Sequence, residues 1–315
     1  LEIQAALAAV SRLWSGMGTD FDASYARIEP ALLSVLFSAQ ERVASGALAY
    51  VPDVLGESAG DPDYVSEGSR FVGVAGDGLP VASMAYGSVV RAKAAVASGM
   101  SPGFALESAG KFLSVSSGTL LSDTGRSAEK VSGGAHRVRT WTRMLNPPSC
   151  GRCVILAGKR SYHSEAFNRH PGCDCRNVPS TEDTGDDART DPHAYLSELS
   201  EAEQDQALGS KANGQAFRDG ADMNQLINAY RRSGAVRPAQ VHGVGIKYTR
   251  EGTTRRGHAY WQMSQAQYVK EQGIFKDGSK YYRLKSPRLM PESIYKVAKD
   301  HEDAKRLLKL YGWVV

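Results

Sequence analysis

Cys150-Gly-Arg-Cys153 and His170-Pro-Gly-Cys173-Asp-Cys175 frame the stretch from which the rest of the chain is read. All four cysteines of the 315 residues fall in this window. The spacing is C-x2-C-x16-H-x2-C-x-C. Two close pairs of soft ligands joined by a loop is the pattern of a tetrahedral zinc site. Each pair loses little entropy on closing, and the loop adds a cost that grows slowly with length. Cys150, Cys153, Cys173 and Cys175 form a set of four thiolates. His170 competes with Cys173 or Cys175 for one place, because Cys-x-Cys is tighter than the usual ligand pair. A structural zinc ion would stabilise a segment with few core residues of its own. Two crossed disulfides are the competing arrangement. Nothing in the sequence signals secretion, which favours metal.

Catalytic readings of the window are weaker. His163-Ser164-Glu165 is the H-x-E shared by zinc deaminases, but there it precedes the cysteine pair on a separate helix, and here it follows Cys153. A Cys–His nucleophilic pair with His163 or His170 can be drawn, yet thiols bound to zinc are not available as nucleophiles.

Moving outward, the sequence before the window has period two. Val138, Thr140, Thr142 and Met144 alternate with Arg137, Arg139, Trp141 and Arg143, which predicts a strand from His136. Arg176-Asn-Val-Pro179, just beyond Cys175, is its predicted partner. Residues 136–180 are therefore expected to form a small β-containing Cys/His knuckle. Residues 1–135 read as a helical domain. Ile3 to Val10 and Phe21 to Leu48 carry apolar residues at helical spacing, with Thr19 or Asp20 as the second N-cap. Pro30 should kink that second helix unless it starts there. Residues 51–80 are rich in Gly and Pro and read as loop. Val81 to Ser98 and Ser101 to Leu121 read as helices, with Ser101-Pro102 as N-cap and N1; Gly125 to Gly134 gives no clear signal.

After the knuckle, residues 181–230 form an acidic linker and helices. Leu196 to Leu208 begins on a capping box at Ser200-Glu-Ala-Glu203, and Ala212 to Tyr230 is interrupted by Gly220. Residues 231–315 read as loop-rich to Arg288, then as an amphipathic helix from Pro291 to Tyr311. The fold class expected is α+β: a mainly helical N-terminal part, the knuckle, and a helical, basic C-terminal part.

Charge separates along the chain. Leu1 to Tyr230 carries 20 Lys+Arg against 27 Asp+Glu, and Arg231 to Val315 carries 18 against 7. A basic tail on an acidic body suggests an acidic partner, nucleic acid or protein. Arg231, Arg232, Arg255, Arg256 and Lys285 are the basic residues singled out for that contact. No apolar run is long enough to span a bilayer, so no membrane partner is expected. Gly56-Glu-Ser58-Ala-Gly60 matches the nucleophile-elbow pattern G-x-S-x-G, but Gly60-Asp-Pro62 opposes the helix that must follow, and no strand–helix alternation surrounds it.

Several stretches then carry a resemblance. Asn146-Pro-Pro-Ser-Cys-Gly-Arg-Cys153-Val-Ile-Leu-Ala-Gly158, Phe167-Asn-Arg-His-Pro-Gly-Cys-Asp-Cys175 and Leu199-Ser-Glu-Ala-Glu-Gln204 come first. Arg218-Asp-Gly-Ala-Asp222, Asn228-Ala-Tyr-Arg-Arg232, Gly252-Thr-Thr-Arg-Arg-Gly257 and Arg288-Leu-Met-Pro-Glu-Ser-Ile-Tyr295 follow in the same order. Together they resemble the phage Mu F-like (MuF) head morphogenesis family of minor capsid proteins, in the version of tailed phages of actinobacteria. Tyr230 and Ser233 depart from its Asn-Ala-Arg-Arg-Gly turn. The resemblance covers residues 140–315 and reaches the N-terminal part only in general character. It implies a non-enzymatic virion component of a double-stranded DNA phage, in the capsid interior near the portal and in the host cytoplasm during assembly. The implied partners are the portal protein, the major capsid or scaffolding protein, and packaged double-stranded DNA. The implied roles are head assembly and DNA packaging or ejection. The alternative is an enzyme, either a capsid maturation protease or a toxin-like effector delivered with the virion.

Overall fold

The structure, a computed structural model, describes residues 1–163, 175–181, 191–230, 234–241, 243–254, 273–274 and 281–314, with the backbone alone at 252–254, 273–274 and 281–286. The fold is α+β, with a helical N-terminal part. Contacts divide the chain into two compact units, one of residues 1–144 and 159–189, the other of 145–158 and 190–315. The cysteine window is thus shared between them in sequence.

The first unit begins with helices α1 (Glu2–Trp14), α2 (Phe21–Leu55), α3 (Val81–Ala97) and α4 (Pro102–Ala135). Asp20 caps α2 by accepting from Ala23 N at 3.0 Å. The helix then runs through both Pro30 and Pro52, so Pro30 is not its start. Its 35 residues span about 52 Å. Ser101 caps α4, with Pro102 at the first turn as the sequence predicts. Helix α4 continues through the Gly/Ser-rich residues 125–134. Its buried residues recur at helical spacing, from Ala105, Ala109 and Leu113 to Leu120, Thr124 and Ala128. Of these, Ala109, Leu113 and Leu120 pack with Val10, Tyr25, Leu32, Leu36 and Val89 around a common core. Trp14 donates its indole N–H to Leu106 O at 3.0 Å, so the largest ring of the core is hydrogen-bonded as well as buried. Gln40, fully buried, is also satisfied: its amide donates to Val74 O and Thr124 Oγ1 and accepts from Gly73 N.

A three-stranded sheet completes this unit, from β1 (Thr140–Met144), β2 (Arg160–Tyr162) and β3 (Arg176–Ser180) in the order β2-β1-β3. Both neighbours run antiparallel to β1, with Thr142 opposite Arg160 on one side and Val178 on the other. The strand predicted beyond Cys175 is therefore the partner expected of it. Burial does not follow the period-two alternation: Thr140, Trp141, Thr142 and Arg143 are all buried. A central strand covered on both faces produces that pattern.

The second unit carries α5 (Gly151–Val154), α6 (Pro192–Glu198), α7 (Glu201–Ala207), α8 (Lys211–Arg218) and α9 (Met223–Asn228). Strands β4 (Val236–Val241), β5 (Val244–Thr254), β6 (Gly273–Ile274) and β7 (Tyr281–Leu289) follow, then α10 (Pro291–Val297) and α11 (His301–Leu310). The capping box at Ser200 is present, and it opens a second helix rather than interrupting one. Gly220, at φ +95°, breaks the chain between α8 and α9, as its position suggests. The closing helix is two: Ala298, extended, ends the first, and Asp300 caps the second by accepting from Asp303 N.

The largest departure from expectation lies between Arg231 and Arg288. That stretch, expected to be loop-rich, builds an antiparallel sheet in the order β4-β5-β7-β6. Strands β4 and β5 form a tight hairpin, with Val241 opposite Val244. The sheet joins the core at Arg288. This arginine is fully buried, lies 3.7 Å over the Trp313 ring, and donates to Gln225 Oε1 at 2.7 Å. Trp313 in turn donates to Leu289 O at 2.8 Å, which ties the chain's last residues to β7. Among the described residues no helix is long and apolar enough to cross a membrane.

Candidate functional site

The first cysteine pair sits on a tight turn made by a four-residue helix. Cys150 is extended at the N-cap of α5, and the amides of Cys153 and Val154 donate to its carbonyl at 2.9 and 3.0 Å. This folds the two side chains toward each other, with their sulfurs 3.5 Å apart. A disulfide, at about 2.05 Å, is excluded at that distance. Two thiolates each about 2.3 Å from a tetrahedral ion lie roughly 3.8 Å apart, close to what is seen. The pair therefore fits half of a zinc site. Cys153 is buried and Cys150 exposed.

The turn is seated by its neighbours in the same unit. A Cβ on Gly151 would lie 2.6 Å from Ala207 O, at the end of α7, and 2.7 Å from Ile227 Cδ1 on α9. Only glycine allows that approach. Arg152 donates from Nη2 to Tyr230 O at 3.0 Å, beyond the end of α9. The Gly151-Arg152 between the two cysteines thus fixes the turn against α7 and α9.

Cys175 belongs to the other unit. It is buried just before β3, and its carbonyl accepts from Arg126 Nη2 at 3.2 Å. His170 and Cys173 lie outside the described residues. Among the described residues no group of three His, Cys, Asp or Glu side chains is placed to hold a metal.

Around β3 the first unit gathers a polar cluster that the sequence does not announce. Tyr50 donates its hydroxyl to Asn177 O at 2.9 Å. Burial pushes the Glu129 carboxyl up to about 7, against the pull of Arg126 and Arg176. In the same unit, His163 stacks on Trp141, and its Nδ1 accepts from the Trp141 indole at 3.2 Å. Burial, and then Lys130, lower the His163 pKa. This histidine is half-buried against the Trp141 ring.

A second cluster, in the other unit, also went unseen. Asp219, at the end of α8, accepts from the Tyr295 hydroxyl at 2.5 Å and lies 3.2 Å from His301 Nε2. Burial raises the Tyr295 pKa first, and the bond to Asp219 raises it further. Asp219 and Tyr295 both lie in stretches that carry the resemblance, but a separation of 76 residues hides their pairing.

Ser58 is exposed on a single 3-10 turn directly after α2. A nucleophile elbow needs a strand before the serine and a helix after it, and neither is there. Of the basic residues singled out, Arg231, Arg232, Arg255 and Arg256 lie outside the described residues. Lys285 is on β7, with its side chain also outside them. Comparison with protein-family models, with curated proteins and with solved structures gives no match.

Proposed function

We propose that this chain is a minor head protein of a tailed double-stranded DNA phage, associated with the portal and the capsid interior. It would act in head assembly and in DNA packaging or ejection. One observation carries this reading: the Cys/His spacing and five further motifs occur in the order of the MuF family from Asn146 to Tyr295. The close approach of Cys150 and Cys153 supports the metal reading, since the Cys-x2-Cys spacing needs those two thiolates to share one ion. Cys150 and Cys153 would hold zinc, with the remaining ligands drawn from His170, Cys173 and Cys175. The ion would act as a structural cross-link and supply no chemistry to a substrate.

The enzyme alternative, a maturation protease or a delivered effector, draws no support from Ser58, which lacks the surroundings of an activated nucleophile. Co-expression of the full chain with the portal protein of the same genome tests the proposal. Co-elution of the two on size exclusion is expected. A chain that elutes alone at every salt concentration would overturn it.

A further inference from the structure

The four-stranded sheet of the second unit has two unlike faces. In an antiparallel pair, directly opposed residues lie on the same side, and side chains alternate along each strand. Val236 opposes Thr249, and Thr249 opposes Arg288. On this side Thr249, Glu251 and Arg288 are buried, and Arg288 reaches Gln225 on α9. It is the core side.

The other side is different. Arg237 stands opposite Tyr248, and Ile246 and Arg250 flank that tyrosine along β5. Arg237, Arg250, Val241 and Val244 are exposed, while Tyr248 and Ile246 are half-buried. Arg250 is diagonal to Arg237, roughly 7–8 Å away across the strands. Two guanidinium groups therefore flank one phenol ring on an accessible sheet face.

Neither of these arginines pairs with a carboxylate among the described residues; Arg237 donates only to Gly234 O, at 3.4 Å. The contrast within the unit is clear. Arg218 and Arg306 are neutralised by Asp205 and Asp303, and Arg288 is buried. Positive charge left uncompensated at such spacing, in a segment with 18 basic against 7 acidic residues, favours a polyanion. The ring between the charges favours nucleic acid over an acidic peptide. A phenol face packs on a base or sugar, and a carboxylate gains nothing from it.

We infer that this face of the sheet is a nucleic-acid contact surface, on which Arg237 and Arg250 bind backbone phosphates and Tyr248 packs against a base or sugar. It deepens the reading proposed above and rests on it only for the source of the nucleic acid, the packaged DNA. Recognition is independent of sequence, because phosphates and ring faces carry no base code.

Fluorescence anisotropy of the full chain with a labelled duplex, and with a single strand of the same sequence, tests this across a salt series. Wild type binds, with affinity that falls steeply as salt rises. Arg237→Gln with Arg250→Gln lowers the log–log salt slope by about 2, at roughly 0.9 per phosphate lost. Tyr248→Ala weakens the single strand more than the duplex, roughly tenfold or more at fixed salt. Lys305→Gln with Lys309→Gln, on α11, serves as a control for general charge, and circular dichroism checks that every variant is folded. An unchanged slope in the double arginine variant, or an equal change in the control, overturns the inference. So does wild type that binds polyglutamate as tightly as DNA, which would assign the face to an acidic protein. A chain that co-elutes with the portal and binds no DNA sinks this surface and leaves the head-protein reading standing. A chain that binds DNA here but never joins the portal does the reverse.

Discussion

At the scale of single residues, Gly151 explains why the cysteine pair is held rather than merely near. Its missing Cβ lets the turn sit against Ala207 O and Ile227, so the sulfurs of Cys150 and Cys153 are positioned by backbone packing before any ion arrives. Elemental analysis of the purified full chain should find about one equivalent of zinc. Cys150→Ser, at an exposed position, should remove it without damage to packing; His170→Ala tells whether the fourth ligand is imidazole. Wild-type protein with no metal would contradict the assignment. Glu129 permits a second test. Its folded pKa is raised from 4.5 to about 7, so the proton stabilises the folded state. That contribution is fully present below the unfolded pKa and is lost as pH rises through about 7. Wild type should lose on the order of 3 kcal/mol of stability from about pH 4 to about pH 8, and Glu129→Gln should lose much less. Equal pH profiles in denaturant unfolding would show that Glu129 titrates normally. The cysteine spacing was legible because its pairs are local in sequence. The Asp219–Tyr295–His301 cluster was not, since contacts across 76 residues leave no periodic trace.

At the scale of elements, local chemistry predicted ends better than lengths. The capping box at Ser200 is formed in both directions, with Ser200 Oγ accepting from Glu203 N and Glu203 Oε2 accepting from Ser200 N at 2.9 Å. Ser200→Ala should cost about 1 kcal/mol in chemical denaturation, and Ser200→Asn much less. No loss in either would mean that packing alone sets where α7 begins. Caps at Asp20, Ser101 and Ser200 were readable because each needs only a side chain and an amide two or three residues on. The continuation of α4 through residues 125–134 was not, because its support is tertiary: Gly133 leaves room for the Trp141 ring, at 2.4 Å from the Cβ it lacks. Strands β4 to β7 were missed for a related reason. Val244, Ile246 and Tyr248 do alternate, but Gly245, Lys247 and an irregular register with β7 dilute the signal. Their stability comes from the far side, where Arg288 stacks on Trp313.

At the scale of the whole molecule, two features organise the chain: one cysteine window whose residues are divided between two compact units, and one basic segment that follows an acidic body. The window and the charge separation were visible in sequence, since composition and spacing need no fold to be read; the division of the window between two units was not. What composition could not give was the form of the basic segment. A charged sheet with one buried face presents its cations in register, whereas a loop would leave them dispersed. The proposal that this is a minor head protein is tested most directly by quantitative mass spectrometry of purified heads from the phage that encodes it, with the gene intact and deleted. The account predicts the intact chain in heads at a few copies for each portal, with capsid-protein masses unchanged by the deletion. Its absence from heads, or capsid proteins left unprocessed when the gene is removed, would contradict the account.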